Sequence, residues 1–430
     1  MADTVRAVRI GVLGCGNVGG AFVGLVADQA KEIEARTGVR LEVARIAVRN
    51  LSKDRAVEVA PAVLTHDAHG VVADPDIDLV VEVIGGIEPA RELITEALLA
   101  GKPVVTANKE LLANVGVELF RTADDAAVDL LFEAAVAGGI PIVRSLRESL
   151  RGEPIHRVLG IVNGTTNYIL TKMTEEGAAY ADALSEAQRL GFAERDPTAD
   201  VEGFDAGAKA AIIASIAFGA RVVAGDVYHE GISQITPADI EVARRLGYVV
   251  KLLAIAELDG SGEIAVRVHP TMLPVHHPLA SVRESFNAVF VEGGAVGSLM
   301  FYGRGAGGLP TASAVLGDVI DAAVNLTKGT HGTLGSFAKA RIRPIDETSA
   351  EYLLGLEVVD RPGVLHAVTG VFATHGVSIR AAEQEGIGED ARLVFVTHEA
   401  KESAVQATVH GLRELDVVKH VGGLLRVIGG

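Results

Sequence analysis

Residues 9–20 read RIGVLGCGNVGG, a short apolar run that passes straight into Gly14-Cys15-Gly16-Asn17-Val18-Gly19. This G-x-G-x-x-G stands where a dinucleotide-binding fold needs it, between a buried strand over 8–13 and a mostly apolar helix over 21–30. Gly14 permits the tight turn, Gly16 lets the backbone approach a pyrophosphate, and Gly19 lets the helix pack closely on the strand. The helix N-terminus, opening around Asn17 and Val18, supplies N–H donors to the phosphates. An ordinary glycine turn is the plainer alternative; the strand before it and the helix after it favour the dinucleotide reading.

The next residues keep the same rhythm. Apolar strands over 41–48, 79–84, 103–106 and 129–134 alternate with helices over 89–100 and from Lys109 onward, the pattern of an α/β, Rossmann-type doubly wound parallel sheet. Ligands in such sheets bind at the carboxyl ends of strands, where Gly85-Gly86 and the TANK stretch at 106–109 fall. The second strand ends at Arg49, followed by Asn50, Ser52, Lys53 and Arg55. An NAD-preferring chain usually places an acid there, whereas cations and hydroxyls suit a 2′-phosphate. The expected cofactor is therefore NADP, with NAD the alternative and a plain solvated loop the bland reading.

With 430 residues, 49% hydrophobic and 22% charged, the chain can build two or three domains with real cores. A net charge of -17 without a dense Lys/Arg cluster argues against a nucleic acid or an anionic membrane as partner and leaves a small-molecule substrate. Cys15 is the only cysteine. It excludes an intrachain disulfide, suits a cytoplasmic location, and lies in the phosphate turn, where it could not serve an acyl-thioester route of aldehyde oxidation. No apolar leader or membrane-spanning apolar run is expected.

The expected organisation is a nucleotide-binding domain over 1–140, completed by about 305–326, where a second glycine-rich turn, GRGAGG at 303–308, opens a helix. Residues 141–304 look like a separate α+β domain with strands over 157–162 and 265–268 and helices over 167–176, 180–190 and 203–218. A linker over 327–349 precedes a βαββαβ module over 350–430, in which Asp360 and Pro362 mark a helix start.

Five acids, Glu194, Asp196, Asp200, Glu202 and Asp205, crowd together ahead of Lys209. Asp205 and Lys209 are four residues apart, so on a helix they share a face with the acid N-terminal to the base. Apolar residues follow, placing the pair at a cavity edge, where a partly desolvated lysine held by a carboxylate can act as a general acid. A structural pair on a solvated face is the alternative, and an oxygen-ligand site for Mg or Ca a further one. Lys109 follows a strand end and should point toward the nicotinamide. His276-His277, being adjacent, are poorly placed for one ion.

TANK (106–109), NGTTNY (163–168), GFAERDP (191–197) and DVEGFD (200–205) leading to Lys209 resemble the homoserine dehydrogenases of the long, monofunctional type with a C-terminal ACT regulatory domain. The resemblance spans nearly the whole chain. It implies reversible NAD(P)-dependent interconversion of L-homoserine and L-aspartate 4-semialdehyde, toward threonine, methionine and isoleucine, with 141–304 as catalytic and dimerisation domain. It implies that Lys209 exchanges the proton with the substrate oxygen, that Lys109 assists, and that Glu194, Asp200 and Asp205 bind the substrate with the Gly164-Thr165 turn. Cofactor contacts implied are Gly14, Gly16, Asn17, Val18, Gly19, Arg49, Lys109 and Gly307. A monovalent cation, sodium, is implied on backbone carbonyls of Glu133, Val136, Gly138 and Ile140. The ACT-like module implies a threonine effector near Asp360, Gly363, Val364 and Leu365, and a homodimer or homotetramer; deleting 350–430 is expected to leave activity and abolish threonine sensitivity. Phe192 stands where some relatives carry tyrosine. An amino-acid sensor that binds nucleotide without catalysis is the other reading; intact Lys109, Glu194, Asp205 and Lys209 favour the enzyme.

Overall fold

The computed structural model describes residues 6–52, 55, 57–386 and 391–428. They cluster into two compact units: residues 1–155, 211–225 and 293–340 form one, and residues 156–210, 226–292 and 341–430 the other.

In the first unit, β1 (Arg6–Leu13), β2 (Val39–Ala47), β3 (Leu64–Thr65), β4 (Leu79–Glu82), β5 (Val104–Thr106) and β6 (Leu130–Leu131) form a parallel sheet in the order β3-β2-β1-β4-β5-β6. Strand order reverses between β1 and β4, the switch point where a doubly wound sheet opens its ligand crevice. Val8, Ile10 and Val12 of β1 are fully buried because helices cover both faces. One of those helices is Gly308–Lys328, whose Ala312, Val315, Leu316, Val319, Ala322 and Ala323 enter the same core as β1. It is long and apolar enough to cross a membrane, but this stripe is core. Residues 327–340, read from sequence as the start of a linker, are tied to this unit: the Gly332 N–H donates to Asp129 Oδ1 at 2.7 Å, and Ala338-Lys339 pair with Ala220-Arg221.

The second unit is built on a long antiparallel hairpin, Tyr248–Leu258 with Ile264–Pro274, in register from Tyr248 opposite Pro274 to Leu258 opposite Ile264. Ile155–Ile161 adds antiparallel to the first of these strands. The C-terminal segment runs Ser349–Val358, Val364–Thr374, Ile379–Glu385, Arg392–Thr397, Glu402–Arg413, Val418–Val427, a βαββαβ module with its fourth strand beside its first and its third between first and second. Tyr352, Leu354, Leu356, Val368, Phe372, Phe395 and Leu412 make its core. Its first helix starts at Val364, not at Pro362: Gly363 is the cap, at φ +94°, a backbone conformation costly for any residue with a Cβ. The module is not hung on a tether, because Val418–Val427 pairs in parallel with Ile264–Pro274 at Thr271 and Met272, continuing the sheet.

Candidate active site

The glycine turns expected to bind nucleotide lie in the first unit. Gly14 has φ +104°, and a Cβ on it would sit 2.9 Å from the Val83 carbonyl; a Cβ on Gly19 would sit 2.3 Å from the Gly14 carbonyl. Both positions require glycine for the turn and for helix packing. Gly16 faces open space, and it caps the helix Asn17–Asp28 with extended backbone and no side-chain bond, leaving the first-turn N–H groups to a ligand. This cradle fits a pyrophosphate. Gly307, at φ +118°, caps Gly308–Lys328, and a Cβ on Gly308 would approach the Asn17 carbonyl to 3.1 Å, so the second glycine turn closes against the first.

Arg49 is exposed just beyond β2. Ser52 donates to Asn50 Oδ1, and Arg55 donates to the carbonyls of Asn50 and Leu51. Burial pushes the Cys15 thiol up, and Arg55 opposes that shift, so this guanidinium lies at the phosphate turn. Lys53 lies outside the described residues.

At the ends of β4 and β5, fully buried Glu82 accepts from the Ile84 and Gly85 N–H groups at 2.8 and 3.1 Å and from Thr106 Oγ1 at 2.6 Å. Asn108 caps the helix Lys109–Asp125 by accepting from the Leu111 N–H, and its Nδ2 donates to the Gly86 carbonyl at 2.6 Å. Half-buried Lys109 is thereby fixed at the first position of that helix. Sequence reasoning missed Glu82; its signal is a carboxylate closing an otherwise apolar strand.

The segment of Glu133, Val136, Gly138 and Ile140 is buried except at its glycine turn. A Cβ on Gly138, at φ +54°, would lie 2.5 Å from the Gly305 carbonyl. The Glu133 carboxylate accepts from the Val143 and Arg144 N–H groups at 2.8 and 2.7 Å, while its own N–H donates to Asp318 Oδ2 at 2.7 Å. Burial pushes Asp318 up to about 7 and raises Glu133 as well. With that carboxylate occupied, a cation here would be held by carbonyl oxygens, a neutral donor set that suits a monovalent ion.

The second unit holds Asp200, Asp205 and Lys209. Asn163 caps the helix Gly164–Glu176: Oδ1 accepts from the Thr166 N–H at 2.9 Å, while Nδ2 donates to Asp200 Oδ1 at 2.7 Å and to Asp205 Oδ2 at 2.9 Å. Asp205 Oδ2 also accepts from Lys209 Nζ at 2.6 Å, and Nζ donates to the Val162 carbonyl at 2.7 Å. Side-chain exposures of 10% for Lys209 and 5% for Asp205 rule out a solvated surface pair. Thr165 Oγ1 donates to the Phe192 carbonyl at 2.5 Å and lies 3.4 Å from Asp200 Oδ2. Asn163, Thr165, Asp200, Asp205 and Lys209 thus form one hydrogen-bonded group. The Glu194 carboxylate stays exposed outside it. The role of Asn163 was hidden, because an asparagine before a helix reads only as a cap.

A second layer holds the Gly164-Thr165 turn. A Cβ on Gly164 would meet the Ser285 carbonyl at 2.7 Å. Asn167 Nδ2 donates to the carbonyls of Val282, Glu284 and Phe286, and Lys251 Nζ donates to Asn167 Oδ1 at 2.9 Å and the Val282 carbonyl at 2.6 Å. Burial holds Lys251 down to about 8.

Three family models match the chain: homoserine dehydrogenase, NAD binding domain, over residues 14–133; homoserine dehydrogenase over 141–320; and ACT domain over 352–413. A homoserine dehydrogenase of Corynebacterium glutamicum is 54% identical over 426 residues, 98% of this chain and 96% of that one. The chain belongs to the homoserine dehydrogenase family. One of Mycobacterium tuberculosis is 49% identical over 440 residues, covering 100% of this chain and 99% of that one. Among solved structures, a homoserine dehydrogenase from Thiobacillus denitrificans matches with TM-score 0.93 and 43% identity over 99% of both chains. A hyperthermophilic archaeal homoserine dehydrogenase in complex with NADPH matches with TM-score 0.63 and 30% identity over 76% of this chain and 99% of that one. Family membership makes the chain an NAD(P)-dependent oxidoreductase of aspartate-family amino-acid biosynthesis with an ACT domain.

Proposed function

We propose that Lys209 is the proton donor and acceptor in the reversible reduction of L-aspartate 4-semialdehyde to L-homoserine, with Asp205 orienting it. The observation that carries this is the buried 2.6 Å contact of Lys209 Nζ with Asp205 Oδ2, anchored by the Val162 carbonyl and by Asn163. An ammonium so held has a fixed position from which it can pass a proton to a substrate oxygen and to which it returns afterwards. NAD(P)H, when bound, supplies the hydride that goes to substrate C4. Asp200 and Glu194 receive the substrate ammonium, the Gly164-Thr165 turn offers backbone and hydroxyl to its polar end, and Lys109 assists at the carbonyl.

The nucleotide is NADP by preference, with Gly14, Gly16, Asn17, Val18, Gly19 and Gly307 lining its phosphates. Exposed Arg49 at the end of β2, where an acid would favour NAD, supports this preference. The carbonyls of Glu133, Val136, Gly138 and Ile140 would hold a sodium ion. Threonine acts as effector through the ACT domain near Asp360, Gly363, Val364 and Leu365; the enzyme works in the cytoplasm as a homodimer or homotetramer.

Lys209→Ala tests the assignment. Turnover should fall on the order of a hundredfold or more, the scale of a general acid, while NADPH affinity measured by fluorescence titration holds. Near-normal turnover in that variant would remove Lys209 from the role.

A further inference from the structure

The C-terminal module is tied to Glu230, a neighbour of the acids read as substrate-binding, by Arg426. Arg426 lies on Val418–Val427, opposite Thr271 where that strand joins Ile264–Pro274, and is 3% exposed. Its Nε and Nη2 donate to the two oxygens of Glu402 at 2.8 and 2.6 Å, a bidentate grip on the module's own helix. Its Nη1 donates to Glu230 Oε2 at 2.8 Å. Tyr352 and Gln406 donate to buried Glu402, and Tyr228 donates to half-buried Glu230, so both carboxylates are served and the guanidinium is shared between them.

Glu230 is in turn packed against the turn that carries the substrate acids. Its N–H donates to the Val268 carbonyl at 2.8 Å. The next residue, Gly231, comes so close that a Cβ on it would lie 2.3 Å from the Val201 carbonyl, to which the Ile232 N–H donates at 2.8 Å. Val201 follows Asp200 in the short helix Thr198–Val201. Gly203, at φ +85°, lies between that helix and Asp205, and a Cβ on it would touch the Glu230 carbonyl at 3.5 Å. Backbone in contact at this range cannot shift on one side without moving the other.

We propose that Arg426 is a positioning residue for the amino-acid substrate: by holding Glu230, it sets the backbone from which Asp200 and Asp205 project. The proposal rests on the reading of those two acids as substrate-binding. It also sets a different outcome beside the expectation that residues 350–430 can be removed with activity intact, since their removal would take away the cation that two segments share and uncover the edge of Ile264–Pro274.

The test is steady-state kinetics on the full chain with homoserine and NADP as varied substrates. Arg426→Met should raise the KM for homoserine about tenfold, with the KM for NADP and kcat within about twofold, because ground-state binding of one substrate is what is lost. Arg426→Lys, which keeps the charge but not the bidentate grip, should recover part of that loss. Arg426→Met combined with Glu230→Gln should be no worse than Arg426→Met alone, since both act through one contact. An unchanged homoserine KM, a parallel rise for both substrates, or full additivity of the two changes would each overturn the assignment. Should Arg426→Met fail to fold, Glu230→Gln alone must show the same one-sided rise, and a flat homoserine KM there overturns it equally. Absence of homoserine turnover in the unaltered enzyme would instead sink the substrate reading.

Discussion

At the scale of the residue, the site depends on groups whose polarity is satisfied out of water. Lys251 is the sharpest case, an ammonium 2% exposed and held by an amide oxygen and a carbonyl rather than a carboxylate. Burial brings it down to about 8. An unfolded lysine keeps its proton to roughly pH 10.4, so between these values the unfolded chain binds more protons and the fold gains stability as pH rises. Relative to Lys251→Met, the native protein should gain on the order of 3 kcal/mol between pH 7.5 and 10.5, read from denaturant midpoints at each pH. A flat difference would mean that Lys251 titrates normally. The i,i+4 pair of Asp205 and Lys209 was legible from spacing, since a helix puts such residues on one face. Asn163 and Lys251 were not, because their partners are brought in by chain segments far away in sequence.

At the scale of the element, the strand–turn–helix over 6–28 was the most legible piece, its glycines and apolar run being local in sequence. Gly19→Ala should destabilise the first unit by about 1–3 kcal/mol and weaken NADPH binding, because the new methyl meets the Gly14 backbone and not a movable side chain. Thermal unfolding and nucleotide titration on one preparation would check both effects. Unaltered NADPH affinity would mean that the turn does not cradle the phosphates. The order of the C-terminal strands and helices was also readable, since each carries its own apolar period. Their junction with Ile264–Pro274 was not, because two parallel strands so distant in sequence, Thr271 pairing with Arg426, leave no periodic mark on either.

At the scale of the whole molecule, the C-terminal module and the hairpin of Tyr248–Leu258 with Ile264–Pro274 share one sheet, and Arg426 ties the module to Glu230, so they should open together. The Ile428 N–H, which donates to the Met272 carbonyl at 3.1 Å, should exchange with solvent as slowly as amides within Tyr248–Leu258. Markedly faster exchange at Ile428 would show the module opening by itself. The first unit has a different difficulty, since it is assembled from three separated stretches of chain. Its sheet is finished by residue 131, yet the helix that supplies Ala312, Val315, Val319 and Ala323 to its core begins only at Gly308. On the ribosome, a nascent chain that has emerged only to residue 300 therefore presents β1 with part of one apolar face bare. Cotranslational holding by a chaperone, or delayed collapse until the later helix arrives, is the demand this threading places on synthesis.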